Sequence, residues 1–218
     1  MAQRTARLNA LRGLLREQGV FIRIGSREVV PAVRALIEDA DVELAMPLRV
    51  LFAEACEEIR EIERRIDLVE RELTALARQN PNAERLMQVP GIGLIIATAL
   101  VGFVGDLRRF PSARHLASHL GLTPREYSSG LRQHLGRISK RGDSYLRMLL
   151  IHGARSVLSR AGTTPVPDRL RTWALALQER AHRNKATVAL ANKIARIAWA
   201  VSVKQTDYRS IPATGNAA

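Results

Sequence analysis

Residues 48–76 read LRVLFAEACEEIREIERRIDLVERELTAL, and this stretch decides the fold of the first part of the chain. Its apolar residues are separated alternately by four and three positions: Leu48, Phe52, Ala55, Ile59, Ile62, Ile66, Val69, Leu73 and Leu76. This spacing places them on one stripe of a single long helix. Because a helix cannot bury such a stripe alone, the pattern predicts a coiled coil, formed within this chain or with a second subunit. In the alternative interpretation, the short helices that precede the stripe cover it.

Two shorter helices are predicted upstream of this stretch. Residues 3–17 carry leucines on one helical face, and a second helix is predicted over residues 27–39 with Ser26 as its N-cap. Downstream, the Asn-Pro pair at 80–81 breaks the long helix. Residues 1–80 are therefore predicted to form a helical, coiled-coil region that links and oligomerises the protein.

A compact helical domain is predicted to follow, over residues 81–204. Within it, a short helix leads to Pro90-Gly91-Ile92-Gly93 and then to an apolar helix. Glycines allow a tight turn and the close approach of another backbone, and the free amides at a helix start attract phosphate. The motif therefore predicts a helix-hairpin-helix-like element in which Pro90, Gly91 and Gly93 contact nucleic acid. The alternative is that these glycines serve helix packing alone.

Residues 122–141 read LTPREYSSGLRQHLGRISKR, which has no helical period and predicts a basic loop or short hairpin. Loops on a helical scaffold commonly carry function. The fold class expected for the whole chain is all-α, with this loop inside the compact domain. The polar segment 205–218 is predicted to be a flexible tail. Gly130 and the cationic residues of the loop are candidates for binding nucleic acid, the cationic residues being Arg125, Arg132, Arg137, Lys140 and Arg141.

Charge is divided unevenly along the chain. The net charge is +13, yet residues 1–104 hold 14 basic and 15 acidic residues, whereas residues 105–218 hold 20 basic and 6 acidic ones. A positive field of this kind attracts phosphate backbones and releases their counterions. The second half is therefore predicted to bind nucleic acid. The alternative is a protein that is basic in general and solvated throughout.

Composition also disfavours several other classes of protein. The lone Cys56 excludes an internal disulfide framework and a cysteine-rich zinc site. We find no apolar run that reaches the length of a membrane span, and the N-terminal segment is a charged amphipathic helix rather than a signal peptide. These observations predict a cytoplasmic protein without a membrane partner.

The sequence Ser128-Ser129-Gly130 is the strongest candidate for chemistry. A serine that attacks a phosphodiester must be exposed on a constrained turn, its developing charge must be stabilised, and its proton must be removed. Gly130 and the neighbouring arginines meet the first two requirements. No base is obvious, His134 being one candidate. The alternative is that this sequence is an ordinary turn.

No metal site is predicted on this chain. His115 and His119 are four residues apart, as zinc-binding histidines on a helix can be, but a third ligand is not evident. Two-metal phosphodiester chemistry needs clustered carboxylates, and those of the second half of the chain are scattered. Any metal that the chemistry requires is therefore expected from elsewhere.

Three ordered segments read VPGIGLIIATALVGFVGD at 89–106, FPSARHLASHLGLTPREYSSG at 110–130 and GRISKRGDSYLRMLLIHGARSVL at 136–158. Together they closely resemble the C-terminal transposase domain of the insertion-sequence-110 family. The upstream RTARLNALRGLLREQGV and the long helix resemble the linking coiled-coil region of that family. The resemblance extends to about Val203.

The resemblance implies a site-specific DNA recombinase made of two parts. An N-terminal RuvC-like domain holds a divalent metal with four carboxylates, and the C-terminal domain supplies a serine that joins covalently to DNA. The family motif places this serine just before the glycine, which makes Ser129 the implied nucleophile and Ser128 the second choice. The resemblance further implies DNA ends and target DNA as partners, a structured guide RNA, and a homo-oligomer assembled through the coiled coil.

We expect this chain to depart from the family pattern in lacking the metal-binding domain, and Leu131 stands where many members have a second glycine. We therefore expect no cofactor bound by this chain, and Mg²⁺ only together with a RuvC-like domain. Three interpretations remain. The chain is the serine-bearing part of a split or truncated transposase, a non-catalytic remnant that binds nucleic acid and oligomerises, or a decayed fragment.

Overall fold

The computed structural model describes residues 2–22, 25–163 and 168–212. Helices account for most of these residues, beside one two-stranded sheet. The all-α prediction is therefore confirmed. The chain divides into two compact units, Met1–Glu72 and Leu73–Ala218, whereas the predicted domain boundary at residue 80 stays a prediction.

The N-terminal unit consists of α1 (Ala2–Glu17), α2 (Ser26–Glu38) and the first part of α3 (Met46–Arg78). The apolar faces of these helices enclose one buried core. Its members are Leu8, Leu11, Leu15, Val29, Val33, Leu44, Phe52, Cys56 and Ile59. Burial raises the pKa of the Cys56 thiol, so this residue is an inert part of the core.

Ion pairs define how α1 lies on α3. Arg4 Nη1 is 3.6 Å from Glu63 Oε1, and Arg7 Nε is 2.9 Å from Glu58 Oε2. The later residue of α1, Arg7, pairs with the earlier residue of α3, Glu58. The two helices therefore run antiparallel. Phe52 of the α3 stripe is fully buried in this core. For the first half of the stripe, the short preceding helices thus provide the cover, as the alternative interpretation expected.

The second half of the α3 stripe is more open to solvent. Val69 is 52% exposed and Leu76 59%, and Leu68 beside them is 49% exposed. A helix that leaves this much apolar surface uncovered has a face available for another helix. The coiled coil accordingly stays a prediction, now confined to the second half of the stripe.

The solvent face of α3 carries pairs of Glu and Arg. Glu61 accepts hydrogen bonds from Arg64 Nε and Arg65 Nε, each at 2.7 Å. These bonds, that from Arg64 foremost, lower the pKa of the Glu61 carboxyl to about 2. Pairs three and four residues apart support an exposed helix, which suits a helix with little other cover on this face.

The starts of α2 and α4 (Pro81–Met87) are capped differently. Ser26 is the first residue of α2, and Gly25 occupies the cap position without a side-chain hydrogen bond. The predicted Ser26 cap is therefore wrong. The Asn80 side chain, in contrast, accepts hydrogen bonds from the amides two and three residues later, at 3.0 and 3.2 Å. Pro81 opens α4, where its missing N–H group is not needed.

The C-terminal unit is built around its last helix, α9, which contacts α4, α6, α7 and α8. Small and apolar residues line the buried face of α9, so the other helices approach it closely. After α4, the elements are α5 (Leu94–Ala99), a π-helical turn (Leu100–Val104), a 3₁₀ turn (Leu107–Arg109), α6 (Ala113–His119), β1 (Pro124–Glu126), β2 (Leu135–Ile138), α7 (Ser144–Ala161), α8 (Arg169–Arg180) and α9 (Arg183–Lys204).

By length and composition alone, α9 is apolar enough to cross a membrane, which corrects the prediction that no such run exists. Half of its most apolar window is buried inside the unit. Leu190 and Ile194 are fully buried among residues of the other helices. The apolar character of α9 is thus explained by its place at the centre of the core.

The chain beyond α9 packs back onto the C-terminal unit. The backbone amide of Tyr208 donates to Gln88 Oε1 at 3.0 Å, and the amide of Arg169 donates to the carbonyl of Ile211 at 2.9 Å. Residues 205–212 therefore make ordered contacts where a flexible tail was expected. The residues after 212 lie outside the part of the chain that the structure describes.

Candidate functional site

The glycine turn between α4 and α5 is pressed against α7. Gly91 has φ +88°, and a Cβ atom placed on it would lie 3.0 Å from the Gly153 carbonyl oxygen. A Cβ on Gly153 would in turn lie 2.0 Å from the carbonyl oxygen of Gly91. Two backbones therefore meet where neither has a side chain. Gly91 serves packing, which was the alternative reading for this motif.

Gly93 has a different environment from Gly91. It is exposed at the cap position of α5, and a Cβ atom placed on it would meet nothing within 4 Å. Pro90 is half-buried in the same turn. The first amides of a helix lack partners within the helix and can receive an anion, and the space beside Gly93 at the start of α5 is open. Contact of Pro90, Gly91 and Gly93 with nucleic acid stays a prediction.

The predicted basic loop is a β-hairpin whose base is tied to the helical core. The β1 and β2 strands pair antiparallel, and below them the Ser139 amide donates to the Thr123 carbonyl at 2.8 Å. From α9, Asn192 Nδ2 donates to the Leu122 carbonyl at 3.0 Å. From α7, Arg147 Nη1 donates to the Leu120 carbonyl at 3.2 Å. The hairpin thus projects from a fixed base.

The tip of the hairpin is a two-residue turn. Ser129 and Arg132 exchange two backbone hydrogen bonds, of 3.2 and 3.1 Å, around Gly130 and Leu131. Gly130 has φ +57° and Leu131 a negative φ, as in a type II′ turn, where glycine is preferred at the first position. Leu131 is completely exposed. The glycine after Ser129 is therefore required by the turn, whereas Leu131 is accommodated in open space.

The pairing of the hairpin separates its side chains between two faces. Ser129 pairs with Arg132, and Tyr127 with His134, so these four side chains lie on one face. We call this set the tip face. The Tyr127 and His134 rings meet edge to face, with centroids 6.2 Å apart, which agrees with this assignment. Ser128 lies on the opposite face of the ribbon.

The two serines have different partners. Ser128 Oγ donates to Glu126 Oε1 at 2.7 Å and accepts from the His134 backbone amide at 3.1 Å. The bond from the His134 amide replaces a backbone hydrogen bond of the kind that normally joins paired strands. In the part of the chain that the structure describes, the Ser129 hydroxyl has no hydrogen bond, and the residue is exposed. Ser128 is engaged within the hairpin, whereas Ser129 is open to a ligand.

The basic residues predicted from the sequence lie along this hairpin and at its base. All five are exposed, and among the described residues none forms an ion pair with a carboxylate. Arg125 makes one hydrogen bond, from Nη2 to the Ser139 carbonyl at 3.3 Å. These residues are Arg125, Arg132, Arg137, Lys140 and Arg141. Their uncompensated charge makes the hairpin a surface suited to phosphate.

The candidate metal ligands do not converge. His115 Nδ1 is bonded to Ser112 Oγ at 2.8 Å, and the His119 ring lies against Phe110, with centroids 5.1 Å apart. Asp143 caps α7 through the Leu146 amide at 2.8 Å. Over residues 2–22, 25–163 and 168–212, no group of three or more His, Cys, Asp or Glu side chains could hold a metal ion. The donor set described here does not fit a divalent metal centre.

Sequence reasoning missed the residues that support the hairpin. From the sequence, the carboxylates are considered only as metal ligands, so Glu126 is assigned no role in the hairpin. The period of two in a strand would have placed Glu126 and Ser128 on one face. Asn192 and Arg147 act from helices far away in the sequence, and no local signal points to them. They became identifiable only in the folded unit.

Comparison with known proteins bears on this same region. Residues 83–169 match the profile of the Transposase IS116/IS110/IS902 family. A probable family 20 transposase of Pseudomonas aeruginosa is 43% identical over 207 residues, which cover 94% of this chain and 61% of the relative. The transposase for insertion sequence element IS1111A of Coxiella burnetii is 37% identical over 206 residues, 94% of this chain and 56% of the relative.

A third relative is the transposase for insertion sequence element IS1328 of Yersinia enterocolitica. It is 39% identical over 167 residues, which cover 77% of this chain and 47% of the relative. This chain thus spans about half to three-fifths of the length of these curated relatives. The family profile includes the glycine turn, the whole hairpin and all of α7.

Proposed function

Because residues 83–169 match the profile of the Transposase IS116/IS110/IS902 family, we propose that this chain belongs to that family and is the serine-bearing part of a transposase that cleaves and joins DNA strands. One observation carries the proposal. Ser129 is exposed at the tip of a basic hairpin inside the segment that the family profile matches, and its hydroxyl makes no hydrogen bond to any residue that the structure describes. Its cross-strand partner is Arg132.

In the proposed reaction, Ser129 Oγ attacks the phosphorus of a DNA phosphodiester. The Oγ–P bond forms and the bond from phosphorus to the leaving deoxyribose oxygen breaks. The serine hydroxyl gives up its proton, and the leaving oxygen takes up a proton. Attack on the serine–phosphate linkage by a hydroxyl of another DNA strand then reverses these changes, which joins the strands and frees Ser129.

Arg132 is placed to stabilise the charge that develops in this step. Side chains of directly paired strand residues have Cβ atoms about 5 Å apart, so the Arg132 guanidinium reaches a phosphate held at Ser129 Oγ. Hydrogen bonds from guanidinium to phosphate are charge-assisted and can be bidentate. Preorganised donors of this kind commonly supply the largest part of such catalysis. The other four cations of the hairpin bind the flanking phosphates.

A proton acceptor for Ser129 is available on the same face. His134 belongs to the tip face and pairs with Tyr127, two residues before Ser129. We assign His134 as the base of this chain. Glu126 is bonded to the other serine, on the opposite face. An activated Ser128 is therefore the competing arrangement, and it uses Glu126 rather than His134.

We propose that the metal chemistry comes from a separate RuvC-like domain acting in trans, with Mg²⁺. The described carboxylates and histidines of this chain do not converge, so no step is assigned to a metal on it. A structured guide RNA selects the donor and target DNA, as the family resemblance implies. The exposed second half of the α3 stripe joins copies of the chain, which brings more than one serine to the DNA.

The test is covalent attachment of the protein to DNA. The purified chain is incubated with labelled DNA of its element's ends, the flanking RNA and Mg²⁺, with and without the metal-binding domain of a full-length relative. We expect an adduct on a denaturing gel only when that domain is present. Ser129→Ala removes the adduct, and Ser128→Ala keeps it.

A result in which Ser128→Ala removes the adduct and Ser129→Ala keeps it would transfer the nucleophile to Ser128. No adduct in any condition, with DNA binding retained, would leave the second candidate function, a nucleic-acid-binding and oligomerising protein without catalysis. The observation that favours this second function is the absence of a hydrogen-bonded base at Ser129 in the described part of the chain.

A further inference from the structure

A pair of aromatic side chains is exposed on the C-terminal unit outside the hairpin. Phe103 lies in the last part of the π-helical turn and is 67% exposed, and Tyr145 is the second residue of α7 and is 44% exposed. The two rings meet edge to face, with centroids 5.8 Å apart and an interplanar angle of 71°. Large aromatic residues are normally buried in part or used for binding. Two adjacent exposed rings therefore mark an interaction surface.

The surface continues along the outer face of α7. Met148, His152 and Arg155 follow Tyr145 at spacings of three, four and three residues, so the four side chains share one helical face. All four are exposed. From Tyr145 to Arg155 this face extends about 15 Å. We call Phe103, Tyr145, Met148, His152 and Arg155 the α7 stripe.

The charge around the α7 stripe indicates the chemistry of its partner. Helix α7 contains no Asp or Glu, and the helix 94–104 that carries Phe103 has no charged residue at all. Lys140 and Arg141 lie just before α7 and are exposed. A purely apolar partner would gain nothing from these cations. A partner with flat apolar rings joined by negative charges fits both features.

We propose that the α7 stripe binds an unpaired DNA strand, with a base stacked on Phe103 and Tyr145 and phosphates held by Arg141 and Arg155. Aromatic side chains stack on the faces of unpaired bases, which a duplex hides within its own stack. Arg contributes both phosphate contact and ring stacking. The inference rests on the proposed function in taking DNA as the ligand and in using Arg141 as a phosphate contact, whereas the α7 stripe itself contains no residue of the tip face.

The test compares the affinity of the full chain for single-stranded and duplex DNA. Fluorescence anisotropy measures Kd for a labelled strand of about 12 nucleotides, within the footprint of known stacking surfaces, and for the same strand in a duplex. We expect Phe103→Ala and Tyr145→Ala each to weaken single-strand binding about tenfold. Duplex binding changes less than about twofold, because it depends on phosphate contacts elsewhere.

Two controls keep this comparison specific. Tyr145→Phe retains an aromatic ring and is expected to bind the single strand like the wild type. Phe21→Ala removes an aromatic ring that is more exposed still, 81%, from the N-terminal unit, and is expected to change neither affinity. Because Phe103 is mostly exposed, its removal should leave the thermal unfolding midpoint unchanged, which circular dichroism can verify.

Other outcomes would overturn the proposal. Equal losses for single strand and duplex, or no loss for either, would contradict base stacking. A variant that binds DNA normally but no longer self-associates in sedimentation would make the surface a protein contact. A matched RNA strand bound while the DNA strand is not would contradict the DNA assignment. Ser129→Ala should leave single-strand binding intact, so failure here and failure of the serine chemistry are distinguishable.

Discussion

At the scale of single residues, Gly91 and Gly93 belong to one motif but lie in different environments. The sequence offered both glycines as candidates for nucleic-acid contact and for packing. The structure places Gly91 against the backbone of Gly153 and leaves Gly93 in open space. The difference follows from which side of a turn faces α7, and only the folded neighbours decide that.

This difference predicts that one added methyl group lowers the free energy of unfolding strongly at Gly91 and hardly at all at Gly93. Gly91→Ala forces a side chain into the left-handed region and against three atoms at 3.0 Å. We expect it to lower the free energy of unfolding by at least about 2 kcal/mol, from backbone strain and overpacking together. Gly93→Ala is the matched control, with an expected change of less than about 0.5 kcal/mol. Denaturant unfolding followed by circular dichroism measures both.

If Gly91→Ala unfolded at the same denaturant concentration as the wild type, the close approach of the turn to α7 would be refuted. If Gly93→Ala were the destabilised variant, the assignment of the two glycines would be reversed. Because the two substitutions add the same group two residues apart, general effects of alanine on the unfolded chain cancel in the comparison.

At the scale of elements, the two neighbouring serines of the hairpin lie on opposite faces, because successive side chains of a strand alternate between faces. Ser128 is tied to Glu126 and to the His134 backbone, whereas Ser129 faces solvent. The sequence predicted the basic loop and its Ser-Ser-Gly motif, but a loop does not direct successive side chains to defined sides. In the hairpin, strand pairing directs Ser128 and Ser129 to opposite sides of the ribbon, which explains why the two serines have different partners.

The bond at Ser128 is expected to hold the tip in register. Ser128→Ala removes one cross-strand hydrogen bond of a small, exposed hairpin, so we expect adduct formation by Ser129 to slow about fivefold without being lost. Glu126→Gln keeps an oxygen that accepts from Ser128, and it should react nearly as fast as the wild type. The measurement is the rate of adduct formation in the two-part DNA assay.

The positioning role of Ser128 would be contradicted if Glu126→Gln slowed adduct formation more than Ser128→Ala does. If Glu126→Gln abolished the adduct while Ser128→Ala merely slowed it, Glu126 would act on the reaction directly. If both variants reacted at the wild-type rate, the hairpin tip would hold its register without this bond, as a type II′ turn can do alone.

At the scale of the whole molecule, the excess of positive charge and the exposed apolar stripe lie in different parts of the sequence. The excess of basic residues lies in residues 105–218. The exposed stripe residues Val69 and Leu76, with Leu68 beside them, precede this segment on α3. This division suits a protein that self-associates through one helix and binds DNA through another surface.

We expect self-association to depend on this part of α3. Val69→Asp and Leu76→Asp place a charge on the stripe, where burial against a second helix would be costly. Sedimentation velocity should show a shift to a smaller species at the same concentration. Leu131→Asp is the control, since Leu131 is completely exposed on the hairpin and lies outside the stripe.

A wild-type chain that sediments as a monomer at every concentration would refute the oligomer. A dimer that survives both α3 substitutions would place the interface on another surface. Because both substituted residues are more than half exposed, neither change should unfold the chain. Unchanged thermal unfolding midpoints would verify that an altered sedimentation coefficient reports assembly.

Much of this protein follows from its sequence alone. The heptad spacing of residues 48–76 predicts the long helix because periodicity is a local property of the chain. The break at Asn80, the cap at Asp143 and the segregation of charge are local in the same sense. So are the three ordered segments that carry the family resemblance. Each can be read without knowing which elements meet.

Tertiary structure decided the features that depend on distant neighbours. It covered the first half of the α3 stripe with α1 and α2, and it explained the apolar α9 as the centre of a core rather than a membrane span. It also paired Ser129 with Arg132 on one face and brought Phe103 against Tyr145. Burial and pairing are properties of contacts between segments, and no local pattern contains them.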